Sequence, residues 1–370
     1  MNRQARRWTG FPRGGTSCVG DLRGRISRRF GSLSILMVAL SLLSVTDVGC
    51  RGCVQHKVVV VYTSVDQVDA QPIFRYCSKK TGIEVRGLYD TEETKSTGVL
   101  NRLIAERNHP QADLFWSGDP VRSALLVRRG LVVAYRPKAA SDLPGVFRAG
   151  DGTWTGVAAR ARILLVNKAL VPADQMPTSI LDMVDPKWKG KVAMASPLYG
   201  TTTMHVAALA SIWGEAKTRT FMDRIKDNGV KIVGSNGEVK RLVVAGQVAF
   251  GLTDTEDAAE AVRDRANVAV VFPDQQGMGT VVMPSTVVLI KGAPHAKLAR
   301  KLLECLVSKD VERRLVDTGS YLPLRPDVKV PKSKRGVSWP ASLKRTNVDY
   351  EKAADALEHM QSFLRKWSGL

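Results

Sequence analysis

The sequence predicts an α/β fold of two lobes, each a mainly parallel sheet flanked by helices, with strands that cross between the lobes. Three observations support this prediction. Apolar strand-like segments alternate with helical segments along most of the chain, a pattern typical of parallel sheets. The length of 370 residues exceeds the usual size of one domain. The hydrophobic fraction of 44% provides enough apolar side chains for a large core.

Residues 1–53 are predicted to be an export leader. An apolar run at residues 33–45 follows a cluster of arginines, and it is shorter than a transmembrane helix requires. The segment 43–50 resembles a bacterial lipoprotein cleavage site, in which Cys50 would receive the lipid. Asp47 departs from that pattern, so simple cleavage with a structural pair of Cys50 and Cys53 is the alternative.

The first lobe is predicted over residues 54–160. A run of valines within residues 57–62 predicts a buried strand that opens into a polar turn, and the helix after it is expected to end at Gly82. The order strand, helix, strand, helix, strand, helix implies parallel pairing with right-handed crossovers. The six predicted elements are residues 57–62, 67–81, 83–89, 97–106, 112–116 and 121–129.

The second lobe is predicted over residues 161–278, with a return to the first lobe over 279–325. Residues 326–370 are interpreted as a linker and a C-terminal helix whose apolar face, which includes Leu357 and Leu364, packs on a lobe. The predicted strands are residues 154–166, 191–195, 231–233, 248–252 and 280–290. The predicted helices are residues 203–213, 238–245, 296–306 and 350–367.

The formal net charge is +20, and part of it belongs to the leader. Residues 1–49 contain eight Arg and two acidic residues, which leaves 47 basic and 33 acidic side chains, a net charge of +14, from Cys50 onward. No basic motif interleaved with aromatic residues accompanies this excess, which argues against a nucleic-acid partner. We therefore expect residence near an anionic membrane surface.

Cysteine and histidine usage argues against structural zinc. Five cysteines are too few for a disulfide framework, and Cys77 and Cys305 are expected to be small buried side chains within apolar helices. The sequence also lacks the Gly-x-Ser-x-Gly, Walker and His-Glu-x-x-His motifs. We expect a binding protein without a catalytic cofactor. An exported hydrolase and a surface protein without a ligand are the contrasting possibilities.

Five segments together resemble the periplasmic substrate-binding proteins of iron(III)-type ABC importers. They occur in the order and spacing of that family between residues 58 and 325. The resemblance implies a two-lobe periplasmic-binding-protein-like fold that closes on its ligand. It also implies a monomer that works outside the cytoplasm and delivers solute to an ABC permease, with a lipid on Cys50 as a possible membrane anchor. The segments are residues 60–64, 80–85, 112–117, 185–190 and 251–255.

The resemblance also implies where a metal ion would bind. Ferric-binding members place a donor in the turn after the first strand, which here is Asp66, and a glutamate after the strand that here precedes Gly118 and Asp119. Their paired tyrosines match Glu256 and Asp257. Carboxylate oxygens suit hard cations, including iron(III), manganese and calcium. Iron(III) with a synergistic anion is the expected ligand.

Two alternatives apply to these carboxylates. They could bind a polyamine or another organic cation, with Trp116 or Tyr62 stacked against it. Glu256 and Asp257 could instead be the acidic first turn of a helix that Thr255 caps.

An anion subsite is expected opposite the first strand. Gly200, Thr201 and Thr202 precede a helix, where backbone N–H groups favour negative charge. In members of the family this turn, with an asparagine that matches Asn236, contacts a phosphate or carbonate. A phosphorylated or phosphonate solute is therefore another candidate ligand.

The remaining predicted ligand contacts lie close to these groups. Arg160 and Arg162 share one face of a strand, so both could reach one oxyanion or both could be solvated. The resemblance associates Arg160 with the anion. Ser64 and Asp254 lie at strand ends. Thr94 follows the second strand, where it could contact ligand oxygens, although the acidic residues just before it could be only the first turn of the next helix.

Overall fold

The computed structural model of the protein describes residues 57–90, 97–330 and 336–370. Ten strands occur within these ranges, and all those predicted from the sequence are present with small shifts at their ends. The short strands β4 and β9 were not predicted. The strands are β1 (Val58–Thr63), β2 (Glu84–Tyr89), β3 (Leu114–Ser117), β4 (Val132–Val133), β5 (Thr155–Asn167), β6 (Val192–Ala195), β7 (Lys231–Val233), β8 (Phe250–Asp254), β9 (Val268–Val271) and β10 (Val282–Ile290).

Ten α-helices occur in the same described ranges. The helices α5 and α9 were not predicted by residue range, although the buried positions of α5 repeat at helical spacing. The helices are α1 (Gln67–Thr81), α2 (Thr97–Ala105), α3 (Pro120–Arg128), α4 (Gly200–Trp213), α5 (Glu215–Asp227), α6 (Asn236–Val244), α7 (Thr255–Arg263), α8 (Ala296–Leu306), α9 (Lys309–Val316) and α10 (Tyr350–Trp367).

The strands form one continuous path with two parallel regions. Its order is β2-β1-β3-β10-β5-β8-β6-β7, with β4 paired to β10 and β9 paired to β5. The strand β1 is parallel to β2 and β3, and β6 is parallel to β7 and β8. These two regions are called the first and second halves below. The predicted α/β fold with crossing strands is confirmed.

The long strand β5 connects the two halves. Its residues 155–161 pair with β10, and its residues 162–166 pair with β8. All thirteen of its residues are buried. Because the interior around this buried strand is closely packed, the side chains of β5 have fixed orientations where the two halves meet. Arg160 and Arg162 lie at this junction.

A disulfide joins α1 to α8. It links Cys77 and Cys305, whose Cα atoms are 5.9 Å apart. The expectation of two unlinked buried cysteines was wrong, although both side chains are indeed buried. Helical periodicity places each cysteine on an apolar face, but it does not show that the faces of α1 and α8 meet. A disulfide of this kind is typical of proteins exported to an oxidising compartment.

The C-terminal helix α10 packs against helices of both halves. Its buried residues, including Leu357, Met360 and Leu364, contact α3 and α4. The indole N–H of Trp367 donates to the carbonyl of Met222 in α5 at 3.0 Å. Packing of this helix is as predicted, but it contacts both halves rather than one lobe.

Two predictions lie outside the described residues, namely the lipid on Cys50 and the ligand contact of Thr94. Within the described ranges, none of the helices combines the length and apolar character needed to cross a bilayer.

Candidate functional site

A polar cavity lies where the carboxyl ends of parallel strands from both halves meet. Its volume is about 300 Å³. The turn after β1 supplies Ser64 and Asp66, and the second half supplies the first turns of α4, α6 and α7. Ligands commonly bind at this edge of open α/β sheets, because helix N-termini converge there. We call it the cleft cavity.

Most of the predicted site residues line the cleft cavity. They come from segments that are far apart in the sequence and share only their position at strand ends or helix starts. The predicted residues at this cavity are Ser64, Asp66, Arg160, Gly200, Thr201, Thr202, Asn236, Asp254, Glu256 and Asp257.

A hydrogen-bond network organises the N-terminus of α4. The hydroxyl of Thr201 accepts from Arg162 Nη1 at 2.8 Å and from Asn236 Nδ2 at 2.7 Å, and it donates to Asp254 Oδ2 at 3.1 Å. Arg162 Nη2 donates to the hydroxyl of Thr202 at 3.2 Å. Arg162 therefore lies beneath the first turn of α4 and supports it, rather than facing the cavity itself. Burial lowers the pKa of Arg162 to about 10, although Asp254 and Asp257 oppose the effect.

Arg160 connects the two sides of the cleft cavity. Its Nη1 forms a close ion pair with Glu256 of α7, and its Nη2 donates to the carbonyl of Gly118 at 2.8 Å. A Cβ atom at Gly118 would lie only 2.9 Å from Arg160 Nη2. A larger residue at this position would push the guanidinium aside. Burial alone lowers the pKa of Arg160, but Glu256 and Asp254 outweigh it and raise the pKa above its usual value.

A buried tyrosine links carboxylates from different parts of the chain. The hydroxyl of Tyr321 lies 3.0 Å from Asp69 Oδ2 and also forms a short hydrogen bond to Glu256. Asp69 belongs to α1 and Glu256 to α7. This cluster extends the contact between the two halves beneath the cleft cavity.

The carboxylates of the cleft cavity crowd one another. Burial raises the pKa of Glu256 well above its usual range, and Asp66 and Asp254 add to the rise while Arg160 opposes it. Burial likewise raises the pKa of Asp257, with Asp254 adding to it, although the hydroxyl of Thr253 donates to Asp257 at 2.7 Å. Burial and crowding therefore penalise the charged forms of these two carboxyls, and a bound cation would reduce that penalty.

Asp119 is not brought to the cleft cavity. Its side chain caps α3 by accepting from the backbone N–H of Arg122 at 3.1 Å, and it lies 3.4 Å from Arg122 Nη1. The predicted metal role of Asp119 is therefore replaced by a structural one, because a helix begins one residue after it. The carbonyl of Gly118, one residue earlier, accepts a hydrogen bond from Arg160.

The two aromatic residues proposed to stack on an organic cation also lie outside the cleft cavity. Trp116 is fully buried, packs edge-on against Phe74, and donates to the hydroxyl of Ser285 at 3.2 Å. The hydroxyl of Tyr62 donates to Glu106 at 3.0 Å. Neither lines the cleft cavity, so the stacking prediction was wrong for both.

The helix alternative for Glu256 and Asp257 is partly right. Both lie in the first turn of α7, as that alternative requires. Thr255, however, does not cap the helix, because its hydroxyl donates to the carbonyl of Ser320 at 2.7 Å. The N-cap position is Asp254. A place in the first turn of a helix and a place in the cavity are compatible.

Sequence reasoning missed several residues that line the cleft cavity, among them Tyr199, Lys240 and Arg241. Tyr199 immediately precedes α4, so its place in a strand-to-helix turn was a usable signal. Lys240 and Arg241 lie in the second turn of α6, and only the packing of α6 on β8 brings them to the edge of the cavity. Lys240 forms an ion pair there with Glu260.

The cleft cavity does not hold a preformed metal site. Within the described residues, no group of three or more His, Cys, Asp or Glu side chains is placed to hold a metal ion. The carboxylates that line it are instead divided between Asp66 in the first half and Asp254, Glu256, Asp257 and Glu260 in the second.

Comparison with known proteins decides the family. The bacterial extracellular solute-binding protein family matches residues 73–341, which is well over half of the chain. The chain belongs to this family. The solute-binding protein is therefore a member of a transport family whose members bind small ligands, and the cleft cavity is its candidate solute site.

The relatives of this protein are named for more than one kind of ligand. The "Iron uptake protein A1" of Synechocystis sp. is 27% identical over 291 residues, which cover 75% of this chain and 79% of the relative. A "Putative 2-aminoethylphosphonate-binding periplasmic protein" of Salmonella typhi is 25% identical over 338 residues, which cover 89% and 92%. The ferric binding protein from Campylobacter jejuni has the same fold, with a TM-score of 0.75 at 20% identity, over 84% of this chain and 99% of its own.

Proposed function

We propose that the protein captures iron(III) together with an oxyanion outside the cytoplasm and passes it to an ABC permease. The observation that carries this proposal is the meeting of Asp66, Glu256 and Asp257 in one cavity whose wall is the N-terminus of α4. Carboxylates are hard oxygen ligands that suit a hard, highly charged cation. The helix N-terminus is suited to the accompanying anion.

Electrostatics supports the cation. The pKa values of Glu256 and Asp257 are raised by burial and by neighbouring carboxylates, so the charged forms of these groups are costly in the ligand-free protein and protons are held there. A cation would compete with the protons for these groups. The names of several relatives, among them the Synechocystis protein, support iron as that cation.

Closure of the two halves would complete the metal site. Asp66 comes from the turn after β1, whereas Glu256 and Asp257 begin α7. Because the donors are divided between the two halves, a ligand that contacts both favours their approach. We infer that the permease recognises the closed shape.

Titration calorimetry with ferric citrate, manganese, spermidine and 2-aminoethylphosphonate tests the proposal. We expect saturable binding of the ferric complex that is lost in Asp257→Asn. Citrate without iron is the matched control and should bind more weakly. Absence of heat and of thermal stabilisation with ferric citrate, alongside tight binding of another of these ligands, would overturn the assignment of iron.

A zwitterionic phosphonate is the second candidate ligand. Arg160, Lys240 and Arg241 line the cavity beside the N-termini of α4 and α6, an arrangement that suits a phosphonate or phosphate group. The carboxylates beside these basic groups, which include Glu256 next to Arg160 and Glu260 next to Lys240, suit an amine. The Salmonella relative, named for 2-aminoethylphosphonate, supports this candidate.

The two candidates differ in their dependence on pH. Protons and a metal ion compete for Glu256 and Asp257, so the affinity for iron should fall as the solution becomes more acidic. A phosphonate group binds better when the neighbouring carboxyls are neutral. The contribution of that group to the affinity should therefore not fall as the solution becomes more acidic. A titration series from mildly acidic to mildly alkaline buffer separates them.

We also propose that the protein acts as a monomer without turning over its ligand. Lipidation of Cys50 is proposed as its membrane anchor, with simple cleavage of the leader as the alternative. Mass spectrometry of the mature N-terminus decides this point, since an unmodified Cys50 would contradict the lipid anchor.

A further inference from the structure

A second and larger cavity lies beside the cleft cavity. It is enclosed by α2, α3, the turn before α4, and α10, and its volume is about 570 Å³. This volume falls within the range of about 300–1,000 Å³ that small-molecule pockets have. The two cavities share Tyr199, but Thr202 lines the cleft cavity and Thr203 lines the second one. We call the second one the helix cavity.

The wall of the helix cavity is mainly apolar. Each surrounding helix contributes aliphatic side chains, and α10 contributes two of them. Such a surface suits a hydrocarbon body, because burial of apolar area is favourable without specific contacts. The aliphatic residues are Leu100, Ile104, Leu125, Leu198, Leu357, Leu364 and Leu370.

The charged side chains of the helix cavity are all basic. Arg122, Arg129 and Arg365 line it, and none of the lining side chains is acidic. Arg129 is paired with Glu358 at 2.9 Å, whereas Arg365 forms no ion pair within the described part of the chain. The cavity therefore favours a ligand with negative charge.

One buried polar group at the helix cavity lacks a hydrogen-bond partner among the described residues. Thr203 is 4% exposed and its hydroxyl has none. Buried polar groups are nearly always satisfied in folded proteins, so this hydroxyl indicates a ligand that supplies the missing partner. Arg122 is also buried, but its Nη1 lies 3.4 Å from Asp119 Oδ2, so a buried carboxylate already opposes its charge.

We propose that the helix cavity is a second binding site that takes an amphipathic monoanion, with a carboxylate that accepts from Thr203 and is attracted by Arg365, and with an apolar body along α10. This proposal does not rest on the solute assigned to the cleft cavity. Because α3 belongs to the first half and α4 to the second, a ligand in the helix cavity contacts both halves. It thereby adds to the contacts that hold them together.

Titration calorimetry of the purified protein with octanoate, in the absence of metal, tests the proposal. Octylamine and octanol are matched probes that keep the apolar chain and change only the head group. We expect saturable binding of one octanoate, with an affinity about tenfold or more above that of either control probe. Equal binding of octylamine, or heat that never saturates, would overturn the proposal.

Paired variants locate the site. Gln361→Trp introduces bulk at the rim of the cavity and should abolish octanoate binding, whereas Ser362→Trp, on the same helix but outside the lining, should not change it. Arg365→Gln should weaken binding several-fold, whereas Lys366→Gln, which removes the same charge from a neighbouring position, should not. Equal effects within either pair would show that octanoate binds elsewhere and would contradict the assignment.

Discussion

At the residue scale, Arg160 controls the chemistry of the cleft cavity. It occupies the space beside Gly118 and pairs with Glu256, so a carboxylate that could bind a cation is held by an internal cation in the ligand-free protein. A metal ion must therefore compete with Arg160 as well as with protons. Arg162 has a different role, because its hydrogen bonds support Thr201 and Thr202 from below.

The first prediction concerns Asp257. We expect Asp257→Asn to weaken binding of the ferric complex about tenfold or more, because it removes one hard oxygen charge from the site. At a pH below the raised pKa of Asp257, the unliganded protein should keep its melting temperature, since the amide oxygen can still accept from Thr253. Asp264→Asn, at the exposed end of the same helix, is the control. A large loss of stability in Asp257→Asn would show that this carboxylate serves α7 rather than a ligand.

The second prediction concerns the pH dependence of stability. The pKa values of Glu256 and Asp257 are raised in the folded protein, so the folded state binds more protons than the unfolded state between the usual carboxyl pKa and the raised values. This contribution to stability is complete below the usual carboxyl pKa and is lost as pH rises through the raised values. Melting temperatures of the ligand-free protein across this range should show the loss. It should be smaller in Asp257→Asn, and an unchanged slope in that variant would contradict the argument.

At the element scale, helix α10 makes different kinds of contact with the two halves of the protein. Trp367 is buried and donates to Met222 in α5, which fixes the helix to the second half. On the other side, Arg128 of α3 pairs with Asp355 and Glu351, whose side chains are exposed. Exposed ion pairs contribute little, so the attachment to the first half rests mainly on apolar packing.

The third prediction compares these two attachments. We expect Trp367→Ala to lower the free energy of unfolding by about 3–5 kcal/mol, because it leaves a cavity and removes a buried hydrogen bond. We expect Arg128→Gln to lower it by about 1 kcal/mol or less. Urea denaturation measures both. Similar losses in the two variants would mean that the ion pairs carry more of the attachment than their exposure allows.

The fourth prediction concerns the disulfide between α1 and α8. Replacing Cys77 and Cys305 by alanine should lower the free energy of unfolding by about 2–5 kcal/mol, because the bond constrains the unfolded chain. Melting curves with and without a reductant measure the effect in the unmodified protein. The double variant should no longer respond to the reductant. A melting temperature that is insensitive to reductant in the unmodified protein would contradict the bond.

At the scale of the whole molecule, the cleft cavity depends on how the two halves meet. The hydroxyl of Thr97 in α2 donates to the carbonyl of Leu198 at 3.3 Å, which is a direct contact across the cleft. The cluster of Tyr321, Asp69 and Glu256 is another. Movement of one half relative to the other would open or close the cleft cavity and the helix cavity together.

The fifth prediction is that the cleft ligand makes the protein more compact. Small-angle X-ray scattering should show a smaller radius of gyration with saturating ferric citrate than without it, because the ligand contacts both halves. Asp257→Asn at the same concentration of ferric citrate is the control and should show less change. Binding that is tight by calorimetry with an unchanged radius would contradict closure.

The sequence by itself determined the α/β alternation, most element boundaries and most of the residues at the cleft. These features depend on local patterns: valine-rich strands, helix ends such as Gly82, and polar residues at strand ends. Because carboxyl ends of parallel strands meet at one edge of a sheet, the turn after β1 and the starts of α4, α6 and α7 could be grouped without coordinates.

Tertiary structure decided the features that depend on contacts between distant segments. The bond between Cys77 and Cys305, the place of Tyr321 beside Glu256, and the enclosure of the helix cavity by α10 each join residues that no local pattern relates. Asp119 has the residue type of a metal ligand, but the direction of its side chain is set by the helix that starts after it. Local periodicity determines which face of an element is buried, whereas the packing of whole elements determines what that face meets.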